Sequence, residues 1–441
     1  DPVIRLGVTG LSRAGKTVII TSLVANLLDR GRMPQFSAAA NGTLQHAYLQ
    51  PQPDDTIPRF DYETHLGAMT GPAPRWPAST RAVSELRLSL RIQPQGLLRG
   101  FAGARTVHLD IIDYPGEWLL DLGLLDKSYA TWSADALAAM ETRSFAAAYL
   151  DALKETPEGY AEPSAQRLAA LFTDYLKAAR ESGFADCTPG RFLLPGELEG
   201  SPVLTFAPLA RAGGHKTLAR EMERRFEAYK AKVVKPFFRD HFARLDRQVV
   251  LVDVLGAIHD GPQAVEALRK TMADILAAFR PGRNAFLSQL LLGKRVDRIL
   301  FAATKADHLH HSQHARLSAI MEAMTREARD RARFQGAETG ALASGAVRTT
   351  TETTLEHGGE TLPAVAGVTE SGKRAAFYPG ELPSDPSRIL TAAREGAEDW
   401  PFGDVEVTRF RPAVQEIAPG DGPPHIRLDR AAEFLLGDRL R

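Results

Sequence analysis

The stretch GLSRAGKT, Gly10 to Thr17, has the spacing G-x-x-x-x-G-K-[ST]. That pattern belongs to a loop whose backbone N–H groups, at a helix N-terminus, hold phosphate oxygens. The residues placed for this are Gly10, Ser12, Arg13, Ala14, Gly15, Lys16, Thr17 and Val18. The Lys16 ammonium would reach the β- and γ-phosphates, and the Thr17 hydroxyl would ligate Mg²⁺. The chemistry needs a buried strand leading in and a helix leading out. VIRLGVT before the loop is apolar and β-rich, and in TVIITSLVANLLDRG after it Ile19, Leu23 and Leu27 recur at helical spacing until Gly31. A second match, GVTESGKR from Gly367 to Arg374, lacks this context. It lies between the strand-like runs LPAVAGV and KRAAFY, no helix pattern follows, and Arg374 offers no hydroxyl. It is expected to be a β-hairpin turn.

A phosphate loop requires an acidic residue at the end of a second buried strand. In TVHLDIIDYPGEW, the apolar Val107, Leu109, Ile111 and Ile112 lead into Asp113 and a D-x-x-G that ends at Gly116. Asp113 would stand near Mg²⁺, and the Gly116 N–H would sense the γ-phosphate. Glu117 follows where a water-orienting side chain would stand, and Asp110 reads as a strand residue. A rival D-x-x-G, Asp253 to Gly256, has no such polar follower, so 249–255 reads as another core strand. Arg13 can supply positive charge in cis, while Ser12 crowds the space of the attacking water. The expected catalytic set is thus Lys16, Arg13, Gly116 and Glu117.

Base choice falls to RILFAATKADHLH, where Thr304, Lys305 and Asp307 form a T-K-x-D variant of the N-K-x-D guanine motif. One carboxylate accepts from both N1–H and the N2 amine of guanine, a pair that adenine lacks, and the Lys305 stem can cover the base plane. Thr80, just before the alternating Leu86, Leu88, Leu90 and Ile92, is placed to close over Mg²⁺, with Ser79 as the alternative. In ALASGAVRTTTE, Ser344 is nearest in type to the loop that meets guanine O6. His310 and His314 have the i, i+4 spacing of a helix-borne metal pair, but no third ligand is evident nearby, so His308, His310, His311 and His314 read as helix-surface histidines.

These residues must be carried by an α/β, Ras-like P-loop fold with a mostly parallel sheet. Residues 1–118 are expected to form its first part, with 31–79, rich in Pro, Gly and Ala, as an extended and partly mobile switch region. Residues 119–244 read as a helical insertion, and 245–441 as the second part of the core with a hairpin, a strand near DVEVTRFRP and a short C-terminal helix. Leu168, Leu171, Phe172, Tyr175 and Ala179 share one helical face; so do Leu218, Met222, Phe226, Tyr229 and Val233, opposite a basic face read as solvated and bent or ended at Pro236. Among the 441 residues, 54 Lys plus Arg balance 54 Asp plus Glu, so nothing points to nucleic acid. Cys187 is the single cysteine, which excludes an intrachain disulfide and fits a reducing cytoplasm. No basic region precedes an apolar run in DPVIRLGVTG, and no apolar stretch approaches the ~18 residues that span a bilayer. A soluble cytoplasmic protein is expected.

Beside these readings, GLSRAGKTVIITSLV, DYPGEWLLDL, ATKADHLHHSQH and FLLGDRLR resemble the YcjX-like family of bacterial stress-associated P-loop GTPases, in order along the chain. The resemblance implies a Ras-like nucleotide-binding domain with a helical insertion, binding GTP/GDP with Mg²⁺. It implies Lys16, Thr17, Asp113, Gly116, Lys305 and Asp307 as site residues, and a link to the phage-shock or envelope-stress response beside an inner-membrane partner. The expected function is a slowly hydrolysing GTP switch, peripheral at that membrane, whose turnover is raised by a partner or by self-association as a homodimer. The alternatives are a P-loop phosphotransferase with the insertion as substrate lid, and a non-hydrolysing guanine-nucleotide module.

Overall fold

The computed structural model describes residues 1–10, 14–77, 82–93, 103–210, 214–241, 244–278, 296–334, 337–396, 400, 402 and 407–441. Its chain divides into two units, one of residues 1–115, 245–266 and 294–441, the other of 116–244 and 267–293. The described residues 267–278, expected with the second part of the core, thus cluster with the helices.

The first unit is built on a seven-stranded sheet in the order β2-β3-β4-β1-β5-β6-β7. Four of its strands pair in parallel with β1 (Val3–Gly10) or with each other: β4 (Arg105–Asp113), β5 (Arg247–Val252), β6 (Arg298–Ala303) and β7 (Glu338–Ala343). Such strands read as unbroken apolar runs because helices cover both faces, and every residue of β5 is buried. Strand β3 (Ser84–Ile92) runs antiparallel to β4, and β2 (Leu44–Gln50) adds an antiparallel edge. The alternation of β3 sends Leu86, Leu88, Leu90 and Ile92 into the core, each fully buried. Its other face presents Arg87, which forks onto Asp110 of β4 at 2.6 and 2.8 Å. Asp110 is therefore a strand residue with a structural partner.

Residues 31–79 hold more structure than their Pro, Gly and Ala content suggests. They contain β2 and the helices α2 (Ser37–Ala40) and α3 (Tyr62–Thr70), following α1 (Lys16–Leu28). Met33, Phe36, Leu44, Phe60 and Tyr62 join the same apolar core as Ile20 and Leu109. A few well-spaced aromatics outweigh a loop-like composition once a sheet offers them a face to cover. The C-terminal helix Leu428–Leu436 joins this core through Leu428, Ala432 and Leu435.

A separate sheet of β8 (Thr350–His357), β9 (Glu360–Val368) and β10 (Arg374–Phe377) is wholly antiparallel. GVTESGKR makes its second hairpin: the Thr369 N–H donates to the Lys373 carbonyl at 2.9 Å, and Gly372 takes φ 84°. The second glycine-lysine match is a turn. Residues 404–406 of the expected strand near DVEVTRFRP lie outside the described residues; beyond them Phe410 makes an isolated bridge to Thr369.

The second unit is helical: α4 (Gly116–Leu120), α5 (Tyr129–Glu141), α6 (Ala147–Glu155), α7 (Glu162–Glu181), α8 (Gly190–Leu193), α9 (Leu218–Tyr229) and α10 (Lys235–Asp240). Its core is aromatic, with the Trp132 ring 5.1 to 5.8 Å from those of Phe172, Phe206 and Phe226. A π-helical turn, Lys230–Val234, joins α9 to α10 immediately before Pro236. A widened turn leaves room for a ring that cannot donate. The basic face expected to be solvated is in part buried. Arg225 donates to Glu162, Glu221 and the Thr205 carbonyl, and Lys230 to the Lys127 carbonyl.

Candidate functional site

In open parallel sheets, ligands gather beyond the carboxyl ends of the strands, where the chain crosses to opposite sides of a central strand. Here that strand is β1, flanked by β4 and β5, and Gly10 ends it. A Cβ at Gly10 would sit 3.3 Å from Leu251 Cβ and 3.4 Å from Ala14 Cβ and Lys16 Cβ, so the loop closes most easily over a residue without one. Gly15 caps α1 at φ 73°, a left-handed conformation that favours glycine, and Lys16 and Thr17 open the helix behind it. Ala14 and Thr17 are buried and Val18 is half-buried. Ser12 and Arg13 lie outside the described residues.

Parallel pairing of β1 with β4 sets Val8 opposite Asp113 and brings that carboxylate to the same end of the sheet. The Lys16 ammonium lies 2.5 Å from Asp113 Oδ1 and donates to the Tyr114 carbonyl, also at 2.5 Å. The Asp113 side chain is only 1% exposed. Buried Thr17 and Asp113 are hard oxygen donors, a hydroxyl and a carboxylate, and as a donor set they fit Mg²⁺.

Sequence reasoning passed over Tyr114. Its phenol is buried, which pushes its pKa well up, and donates to Gln248 Oε1 at 3.0 Å. The Gln248 amide donates in turn to Thr9 Oγ1 at 2.7 Å and to the Val249 carbonyl at 3.0 Å. This closed polar chain anchors the residue after Asp113 to β5 and β1. Gly7 makes room for it, since a Cβ there would stand 2.5 Å from the Tyr114 hydroxyl. A tyrosine in a loop and a glutamine in an apolar strand carry no local mark of being partners.

T-K-A-D follows β6. Thr304 donates its N–H to the Val252 carbonyl at 2.9 Å. Lys305 takes φ 63°, a left-handed conformation that costs a non-glycine residue on the order of 1 kcal/mol. Its ammonium pairs with Asp253. The rival D-x-x-G thereby finds its place: Asp253 caps the helix Val254–Asp260 through the Gly256 N–H at 3.0 Å and holds Lys305. Asp307 is buried, and its Oδ2 accepts from both the Thr349 hydroxyl and the Thr349 N–H, while the Thr350 hydroxyl donates to the Asp307 carbonyl. Neither threonine stood out within RTTTE.

Ser344 does end the last core strand, but its N–H donates to the Ala303 carbonyl at 2.8 Å and its hydroxyl to the Ile426 carbonyl at 3.1 Å. Both donors are thus committed within the fold, so Ser344 anchors the loop. A C-terminal strap completes this region: Gly345 and Ile426 exchange backbone bonds at 3.0 and 2.8 Å, and Arg348 N–H donates to Pro424 at 2.7 Å.

Gly116 and Glu117 begin α4 of the helical unit. Glu117 accepts from Arg180 of α7 at 3.3 Å. Gly190 lies so near the Glu117 carbonyl that a Cβ would be 1.8 Å from it, which makes glycine obligatory there. Thr80 and Ser79 lie outside the described residues. Of the histidines, His314 is buried and bonded to the Ala306 and Leu309 carbonyls, at 2.8 and 3.1 Å, and is not a surface residue.

A phosphate-type loop on a central parallel strand, an acid on its neighbour and T-K-A-D two strands away define a P-loop protein of Ras-like fold. The chain belongs to the YcjX-like family, DUF463, whose model matches residues 4–440. It is 39% identical over 462 residues to a protein of Escherichia coli (strain K12) named Ras-like GTPase YcjX, covering 100% of this chain and 97% of the relative. To the protein of that name from Shewanella oneidensis it is 34% identical over 475 residues, covering 100% and 95%. Among the described residues no helix is long and apolar enough to cross a membrane.

Proposed function

We propose that this protein binds GTP and hydrolyses it slowly, as a molecular switch. The observation that carries the reading is the meeting of Lys16 with Asp113 at one sheet end, with Lys305 and Asp307 held in a preformed, strained loop beyond β6 of the same sheet. The name Ras-like GTPase borne by full-length relatives supports it.

In this reading the Gly10–Val18 loop takes the phosphates. Lys16 exchanges Asp113 and the Tyr114 carbonyl for phosphate oxygens. Thr17 and Asp113 would hold Mg²⁺, with Thr80 closing from the switch; the ion would neutralise developing charge on the phosphate oxygens. Asp307 accepts from the guanine edge while Thr349 keeps its carboxylate turned, and Lys305 covers the base. Because Ser344 is committed elsewhere, the O6-facing N–H belongs to the residues just after it. Gly116 reads the γ-phosphate and Glu117 orients water. The charge of Glu117 is repelled by the triphosphate until Mg²⁺, Lys16 and Arg13 screen it, which makes unassisted turnover slow.

In this reading the switch serves an envelope or phage-shock-type stress response, in the cytoplasm and peripherally at the inner membrane, a role that only the family resemblance supports. There a membrane stress protein or a second copy of the chain would raise the rate. The test is a chromatographic assay of nucleotide retained by the purified chain, followed by turnover with GTP and ATP side by side. Retained GDP or GTP and release of free phosphate from GTP are expected. Equal use of ATP, or phosphate transfer to a small acceptor, rejects the reading.

A further inference from the structure

Outside the nucleotide loops, three side chains from two elements converge on one point. His310 and His311 lie at the start of the segment leading into the helix His314–Phe334, and Glu352 projects from β8. Glu352 Oε2 is 2.8 Å from His311 Nδ1 and 3.7 Å from His310 Nε2, and the three donor atoms all lie within 4.8 Å of one another. A separation of 3.7 Å is too long for a hydrogen bond, so the His310 nitrogen aims at the carboxylate without bonding it. Tetrahedral zinc, with bonds of about 2.0–2.1 Å, keeps its donors roughly 3.3 Å apart. The observed spacings straddle that value.

The surroundings fix the orientation of each group. The His311 N–H donates to Glu352 Oε1 at 3.0 Å, and Arg348 reaches the same oxygen at 3.4 Å. Oε2 is thereby turned toward the two rings. Ser312 Oγ lies 2.9 Å from His310 Nδ1, with the Ser312 N–H more distant at 3.4 Å. A partner on the second ring nitrogen is what holds a ligating imidazole in one tautomer and orientation. His311 is 68% exposed and Glu352 27%, so an ion can enter and a water can complete its shell. His314, at i, i+4 spacing from His310, takes no part, because it faces inward.

We propose that His310, His311 and Glu352 bind a divalent transition metal of the zinc class. Two imidazoles and one carboxylate suit Zn²⁺ and repel neither ligand nor ion, whereas Mg²⁺ prefers all-oxygen shells. Thr350, two residues from Glu352 on β8, bonds the Asp307 carbonyl. The ion would tie the loop after T-K-A-D to that strand.

Calorimetric titration of the full chain with Zn²⁺, in excess Mg²⁺, tests the site. One equivalent should bind, and binding should weaken at least roughly tenfold in His311→Ala and in the isosteric Glu352→Gln, with a smaller loss in Ser312→Ala. Far-UV circular dichroism checks that each variant is folded. Co²⁺ should give wild type the intense visible bands of a four-coordinate ion, absent from Glu352→Gln. Absence of a bound equivalent, or an isotherm and Co²⁺ spectrum unchanged by all three substitutions, overturns the proposal.

Discussion

Lys16, the first residue of α1, and Asp113, the last of β4, form an ion pair at 2.5 Å, with the carboxylate almost sealed from water. Removing one member of a buried pair leaves a charge with less compensation, which costs up to roughly 3–5 kcal/mol. Lys16→Ala is therefore expected to keep the fold, melt at lower temperature and lose tight GTP binding. Adding Asp113→Asn should restore much of the melting temperature and none of the binding. Thermal unfolding and fluorescent-nucleotide titration on the single and double variants read both, and a Lys16→Ala protein that still binds GTP tightly rejects the phosphate-loop assignment.

Asp307 has one carboxylate oxygen held by Thr349. Asp307→Asn turns an N–H₂ toward guanine donors, and losing charged hydrogen bonds costs roughly 1.5–3 kcal/mol. Competition binding should show GTP weakened by about ten- to a hundred-fold and xanthosine triphosphate admitted. Thr349→Val should weaken GTP by a smaller factor without changing base preference. Wild type that binds ATP as well as GTP removes the basis for both expectations.

Glu117 is engaged by Arg180 at 3.3 Å. Single-turnover hydrolysis by wild type is expected at ~10⁻⁴ to 10⁻² s⁻¹, the range of unassisted switches. Glu117→Gln and Arg13→Ala should each shift that rate, and Arg180→Ala should shift it only while Glu117 is present. A wild-type rate of tens per second would mark a constitutive enzyme, and rates untouched by Glu117→Gln and Arg13→Ala would remove both from catalysis.

Glu85 is buried on β3, and its pKa is pushed up to about 7 by burial first and by nearby Asp110 second. A carboxyl whose folded pKa exceeds its unfolded one stabilises the protein in its protonated form. That contribution is complete below the usual carboxylate range and is lost as pH rises through about 7. Denaturant unfolding should show stability falling between pH 5 and 8 more steeply in wild type than in Glu85→Gln. Parallel pH profiles in the two proteins would refute this source of pH dependence.

G-x-x-x-x-G-K-T, D-x-x-G and T-K-A-D are legible in the linear sequence because each is a contiguous motif that follows a buried strand, β1, β4 and β6. Such motifs need particular residues at fixed spacing, and neighbouring elements repeat the strand and helix periods. The second glycine-lysine match was excluded on the same local grounds, and the hairpin turn at Gly372 is a local object too. The order of the sheet, the pairing of Tyr114 with Gln248, the hold of Thr349 on Asp307 and that of Asp253 on Lys305 were decided only by the tertiary structure. These partners lie tens to more than a hundred residues apart, and no spacing rule links them. The same holds for the histidines. Their spacing alone reads as four helix-surface histidines, but the start of the helix turns His314 inward, and a strand formed forty residues later brings Glu352 to His310 and His311. Local chemistry is written in spacing, whereas the partners of a polar side chain are set by which strands the core brings together.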